Sequence, residues 1–216
     1  SFMNVTGEYG LRKQIEKWVP GFYPLRSGYT TGACATAASK AALLGLLGRD
    51  IPSLIPIRFP NGETLSLPVV DVQLGEESVS AIVVKDAGDD PDVTHGHRIV
   101  STIRFSSHPG IHFLQGEGVG KVTLPGLGLE IGEPAINKVP RQMMEQELSA
   151  LYQGGLDVTI SVPDGRELAK RTFNPKLGIV DGISIIGTSG IVRPFSSEAL
   201  YSPPKDNTIR PSFSVA

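Results

Sequence analysis

Cysteine occurs once in the 216 residues, at Cys34, which excludes a disulfide within the chain and any zinc site built on cysteines. A surplus of charge of either sign is missing too. Lys and Arg number 20 against 22 Asp and Glu, a formal net charge of -2, so no global basic field recruits nucleic acid or an anionic membrane. No apolar run reaches the roughly 18 residues of a membrane span. The most apolar N-terminal stretch, Trp18 to Leu25, is broken by Pro20 and Pro24 and lacks the make-up of a signal peptide. These absences leave a cytoplasmic location as the default.

Glycine, with 25 residues, and proline, with 17, are what the sequence has in plenty. Hydrophobic residues make up 40% and fall in patterned runs, which excludes a disordered chain. The glycines follow no three-residue period, which excludes collagen. The expected class is α+β: short mixed strands, an alanine-rich N-terminal helix, a second helix and an irregular C-terminal tail.

Residues 1–24 read as an irregular segment with one short helix over Leu11 to Trp18, residues 25–200 as the folded domain, and residues 201–216 as a tail or linker. Thr30 caps an alanine-rich helix that ends near Gly48. A hairpin over Leu54–Phe59 and Thr64–Leu67 turns at Asn61-Gly62. Strands are expected at Ser78–Lys85, Ile99–Phe105, Leu156–Val162 and Ile183–Ile186, with short ones from about Ile111 to Ile131. Pro140 fits the first turn of the second helix, which runs to about Tyr152 with Met143, Met144, Leu148 and Leu151 as its apolar stripe. Gly165 to Arg171 reads as a further short helix.

Several segments carry chemistry. Arg26-Ser27-Gly28-Tyr29-Thr30-Thr31-Gly32 places a guanidinium and two hydroxyls at a helix start, either an anion site or a capped helix after a tight turn. It is no P-loop, because the Gly-Lys-Ser/Thr ending is absent. Cys34 would have a lowered pKa if exposed, and packing is its expected role. The loop Asp86-Asp89-Asp90-Asp92 after Lys85 offers carboxylates for a cation or for acid–base work, against a solvated turn that positions backbone. His95, His97, His108 and His112 do not have the spacing of a metal site, since Pro109-Gly110 breaks any helix between the last two. Gly116-Glu117-Gly118-Val119-Gly120 has dinucleotide-turn spacing but is followed by strand-like residues, so close approach to a flat ligand is its other use. Asn137-Lys138-Val139-Pro140-Arg141 and Gly187-Thr188-Ser189-Gly190 to Arg193 repeat the donor-rich chemistry. Together these cradles suggest a ligand with several carboxylates or phosphates.

These motifs resemble the CbiD family: Leu25 to Ala35, Lys85 to Thr94, Gly116 to Gly120, Glu133 to Asn137, Val139-Pro140-Arg141, Phe173 to Ile179 and Gly182 to Pro194, in family order. The resemblance implies an enzyme of anaerobic cobalamin biosynthesis that methylates C1 of cobalt-precorrin-5B, with S-adenosylmethionine as co-substrate. Cobalt then enters only as part of the substrate, and no protein-owned metal is implied. The partner is a cobalt-containing tetrapyrrole ringed with carboxylates; neither nucleic acid nor a membrane is expected. On this resemblance Arg26, Thr30, Thr31, Asn137, Arg141, Thr188, Ser189 and Arg193 hold carboxylates. Lys85, Asp86, Asp89 and Asp90 are the catalytic candidates, or the groups that hold the ribose of the methyl donor. The sequence departs from the family pattern at Asp181, where glycine is usual, and at Lys138, where proline is usual. Family members also continue past the Val-Arg-Pro motif, so the chain reads as the N-terminal portion of such an enzyme; a non-catalytic tetrapyrrole-binding module is the alternative.

Overall fold

The structure, a computed structural model, describes residues 25–194. The helix expected over Leu11 to Trp18 and the tail from 201 lie outside the described residues. The architecture is α+β, as expected.

Helix α1 (Thr31–Leu46) is the centre of the fold. Its alanines Ala33, Ala35, Ala37, Ala38, Ala41 and Ala42 are all fully buried, because elements pack on both sides of it and a helix buried all round needs apolar residues on every face. On one side lies a five-stranded sheet in the order β4-β5-β6-β9-β7, formed by β4 (Asp71–Leu74), β5 (Ser78–Val84), β6 (Arg98–Phe105), β7 (Ile111–Gln115) and β9 (Leu156–Ser161). Neighbours run antiparallel except β7 and β9, which are parallel. Alternate residues Val79, Ala81, Val83, Ile99, Ile103, Val158 and Ile160 are buried, the period-two signature of a sheet with one covered face. On the other side of α1 lie helix α2 (Lys138–Leu151) and the hairpin of β2 (Leu54–Arg58) and β3 (Thr64–Pro68).

Small polar groups close this packing without a clash. Ser39 Oγ lies 2.7 Å from Ser101 Oγ and 3.5 Å from Met144 Sδ, so one hydroxyl on α1 touches both the sheet and α2. A buried hydroxyl needs such partners, since leaving it unpaired costs about 1–3 kcal/mol.

Four short elements complete the fold: β1 (Gly28–Tyr29), β8 (Lys121–Val122), β10 (Ile179–Val180) and β11 (Ile191–Val192), paired β1 with β11 and β8 with β10. Helix α3 (Gly165–Ala169) is shorter than expected from the sequence. Val122, Ala135 and Ile179 form a second, small core with Leu127, Leu129 and Leu177 packed against it.

One expected strand is corrected. Ile183–Ile186 is buried or half-buried but makes only isolated bridges, Val119 to Ile183 and Ile136 to Ile185. Its backbone bonds go to two different neighbours: Ile183 N–H donates to Gly118 O at 2.9 Å, and Ile185 N–H to Ala135 O at 2.8 Å. With a different partner every two residues no ladder can build. The segment is instead a thread that ties the 118–120 turn to the 135–137 turn. The short strand Asp71–Leu74, with its mostly exposed side chains, has no signal in the hydrophobic pattern.

Candidate functional site

The start of α1 is a crossing of four chain segments. Thr30 caps the helix, its Oγ1 accepting from Ala33 N–H at 3.1 Å. Gly32 N–H donates to Ile186 O at 2.9 Å, and Thr31 Oγ1 accepts from Ile186 N–H at 2.9 Å. Thr30 N–H donates to Gly190 O at 3.0 Å. The donors that the sequence reading gave to an external anion are therefore largely taken by the 186–190 segment. Thr30 and Thr31 are buried and position this crossing from within.

On the other flank, Tyr29 N–H donates to Asp86 O at 2.7 Å and Asp89 N–H to Arg26 O at 2.8 Å. This approach requires Gly28, where any Cβ would overlap the Ala87–Gly88 peptide, and Gly88, which has φ 66 and faces the Arg26 carbonyl. Arg26 then meets Asp86 at two points, Nη1 to Oδ2 at 2.6 Å and Nη2 to Oδ1 at 2.9 Å, while its backbone N–H donates to Asp89 Oδ2 at 2.5 Å. The hydrogen bond from Arg26 holds the Asp86 carboxyl below its usual range, against a smaller upward push from burial. Burial, followed by the neighbouring Asp92 charge, holds Asp90 above its usual range.

Lys85 is only 2% exposed. Its Nζ lies 2.9 Å from Asp92 Oδ2 and 2.6 Å from Thr94 Oγ1. Burial alone would raise Asp92, but the Lys85 charge and hydrogen bonds from Thr94 and Lys85 outweigh it and hold it low. Lys85 thus anchors the acidic loop from beneath, whereas Asp89 and Asp90 lie nearer solvent. Asp92 and Thr94, which no sequence signal separated from the rest of the loop, are its partners in that anchor. His95 Nδ1 accepts from Ala87 N–H at 3.0 Å and steadies the same turn. Cys34 is fully buried, and burial pushes its thiol up to about 12, in keeping with packing rather than nucleophilic chemistry.

The start of α2 is more open. Asn137 N–H donates to Ile185 O at 2.9 Å, while the Asn137 and Lys138 side chains are exposed. A cavity of about 260 Å³ opens here, lined by Leu127, Gly128, Leu129, Asn137, Lys138, Val139, Pro140, Gly187 and Thr188. Thr188 and Asn137 therefore share one cavity. Ser189 and Arg193 are exposed nearby in sequence, with the Ser189 hydroxyl donating to Ile191 O at 2.9 Å. Arg141 faces a different task. Its Nε donates to Ile136 O at 2.7 Å and Nη2 to Pro134 O at 3.1 Å, with Glu133 Oε2 at 3.2 Å. Its guanidinium also lies 5.3 Å from the Phe113 ring centroid, so it holds the 133–137 turn in place.

The two helix starts are neighbours, because a side chain at Gly32 would meet Pro140 Cγ at 2.6 Å. The three donor-rich segments thus converge on one region, although Arg26, Thr30, Thr31 and Arg141 spend their donors on the protein itself. Leu127 and Leu129 line this region and belong to none of the motifs read from the sequence. Their only signal is the apolar character of Leu124-Pro125-Gly126-Leu127-Gly128-Leu129.

The turn Gly116–Gly120 follows strand β7 and opens no helix, so it is not a dinucleotide turn. Its glycines serve close packing of backbone on backbone: added carbons at Gly116 and Gly118 would overlap the Ile160 and Val162 carbonyls. The turn also borders a cleft of about 350 Å³ with Gln115, Glu117, Arg166 and Asp181. Among the described residues no three His, Cys, Asp or Glu gather as metal ligands. None of the described helices is long and apolar enough to cross a membrane.

The CbiD family model matches residues 21–194. A cobalt-precorrin-5B C(1)-methyltransferase of Pseudomonas aeruginosa (strain LESB58) is 53% identical over 181 residues, which cover 82% of this chain and 50% of that one. A protein of the same name from Geobacillus thermodenitrificans (strain NG80-2) is 52% identical over 180 residues, covering 81% and 48%. Among solved structures, the cobalamin biosynthesis protein cbiD of Archaeoglobus fulgidus superposes with a TM-score of 0.59 at 32% identity, covering 82% of this chain and 57% of that one. The chain spans about half the length of the curated relatives it matches.

Proposed function

Since the chain belongs to the CbiD family, we propose that it acts in the methylation of C1 of cobalt-precorrin-5B, with S-adenosylmethionine as the methyl donor, in the cytoplasm. The observation that carries this reading is the identity of 53% over 181 residues with a relative named for that reaction. The site agrees in kind: motif segments distant in sequence meet around the starts of α1 and α2, where an anionic, flat ligand finds exposed Asn137, Thr188, Ser189 and Arg193. In the transfer, a nucleophilic ring carbon takes the methyl group, the carbon–sulfur bond breaks with its electron pair staying on sulfur, and the donor leaves as S-adenosylhomocysteine. Such a step gains most from holding two reactants in line, which can supply ~7–11 kcal/mol of the barrier.

In this reading Asp89 and Asp90 face the substrate or the donor, Asp86 and Arg26 form a pair that the substrate carboxylates can open, and Lys85 holds their loop. Arg141, Thr30 and Thr31 shape the carboxylate-binding surface through the backbone they fix. Cobalt arrives with the substrate. A second reading, a tetrapyrrole-binding module without methyl transfer, draws support from the chain spanning about half of its relatives.

The test is calorimetry of this chain with a cobalt corrinoid and with S-adenosylhomocysteine, alongside a turnover assay read by mass. Uptake of both ligands and one added methyl group is the expected result. Corrinoid uptake without the nucleoside favours the binding module. Uptake of neither overturns both readings.

A further inference from the structure

The cavity at the start of α2 has two unlike walls. One is the apolar loop with Leu127 and Leu129, which also lean on the small core of Val122, Ala135 and Ile179. The other is the first turn of the helix with Lys138, Val139 and Pro140, joined by Thr188. At about 260 Å³ the cavity is smaller than the ~300–1,000 Å³ of pockets that take a whole ligand. It suits a projecting part of one.

Charge narrows the choice of that part. Arg26 and Arg141 both spend their guanidinium groups on protein acceptors. Lys138 is exposed, lines the cavity and makes no ion pair among the described residues. A short methylene arm ending in a carboxylate matches a cavity with apolar walls and one uncommitted cation.

Building on the reading of the chain as a tetrapyrrole-binding CbiD protein, we propose that this cavity seats one carboxylate-ended arm of the macrocycle, its methylenes between Leu127, Leu129 and Val139 and its carboxylate on Lys138. The lysine gives this chain a preference for a free carboxylate over an amide at that arm.

The test titrates the chain with a cobalt corrinoid whose arms are free carboxylates, and with the same macrocycle whose arms are primary amides, followed by absorbance. Lys138→Pro is the informative variant. Proline fits the first helical position, and Asn137 before it already has the extended backbone, φ -71 and ψ 166, that a residue preceding proline adopts. Lys138→Pro lowers affinity for the carboxylate form by about fivefold, as for an ion pair open to water, and leaves the amide form unchanged. Leu127→Asp, which sets a carboxylate in the apolar wall, weakens the carboxylate form more than the amide form. Equal affinity of wild type and Lys138→Pro for the carboxylate form, or equal losses for both forms, overturns the assignment while tetrapyrrole binding stands. If the wild-type chain binds neither macrocycle, the tetrapyrrole reading falls and takes this assignment with it.

Discussion

Arg26 and Asp86, 60 positions apart, face each other as a two-point ion pair with contacts of 2.6 and 2.9 Å. Any ligand carboxylate that uses Arg26 must displace or share this partner. Asp86→Asn should therefore strengthen binding of a carboxylate-bearing corrinoid, and Arg26→Ala should weaken it, each by severalfold. If both variants weaken binding alike, the pair serves only to dock the 25–29 segment on the 86–89 loop.

The same pair sets an acid dependence. Its side chains are 54% and 48% exposed, so its contribution to stability stays within about 1 kcal/mol. Asp86 is held below its ordinary value, which means the contribution is present above the ordinary aspartate pKa of about 3.9 and is lost as the pH falls through the lowered one. Denaturant midpoints of wild type and Arg26→Ala should differ slightly at pH 7 and converge in strong acid. A gap that persists unchanged into acid would mean that Arg26 stabilises by packing.

Lys85 offers a sharper case because its pair is buried. The side chains of Lys85 and Asp92 are 2% and 8% exposed, and removing one partner leaves a desolvated charge, at a cost of about 3–5 kcal/mol. In Lys85→Met, burial acts on Asp92 against the Thr94 hydrogen bonds, and as the largest single influence on that carboxyl it is expected to carry the folded-state pKa above the unfolded one. The variant's stability is then greatest at low pH and falls as pH rises through that raised value. Unfolding midpoints at pH 5 and pH 7 should show the Lys85→Met deficit shrinking in acid. A deficit independent of pH would leave the ion pair without an energetic role.

Where local chemistry decides the structure, the sequence was readable. Thr30 followed by a run of alanines gave the cap and the central helix, and Asn61-Gly62 gave the hairpin turn. The convergence of Thr30, Asn137 and Thr188 on one region is legible in the sequence only as shared chemistry, because the contacts that bring the segments together join positions as far apart as Thr31 and Ile186. The sequence also shows which donors exist and not which are spent. In the sequence the Gly32 amide and the Arg141 guanidinium are open donors; in the fold they bond to the carbonyls of Ile186 and Ile136. Ile183–Ile186 misled for a related reason: an apolar, β-branched run predicts burial, whereas a ladder also needs a neighbour that keeps its register.

Cys34, the chain's only cysteine, gives an unambiguous chemical probe of the central helix. It is fully buried, and its thiol is pushed up to about 12, so at neutral pH both access and thiolate are lacking. Native protein should remain unlabelled by a thiol reagent on the timescale in which the denatured chain reacts fully. Rapid labelling of the native chain would show that α1 opens readily and would sink its role as the core.

Asp181 is the single non-glycine residue with positive φ among the described residues, at 71, and it stands where the resemblance leads one to expect glycine. The left-handed region costs a residue with a Cβ roughly 1–2 kcal/mol, less for aspartate than for most. Its bond to Arg166 at 3.1 Å joins side chains 54% and 72% exposed, which offsets little of that strain. Asp181→Gly relieves the strain while giving back part of the gain through a freer unfolded chain. The net expectation is a rise in stability of about 0.5–1 kcal/mol. Asp181→Ala keeps the strain and loses the ion pair, so it should be the least stable of the three. Denaturant midpoints in the order glycine, aspartate, alanine would support backbone strain as the deciding effect, whereas a glycine variant weaker than aspartate would assign the position to the Arg166 contact.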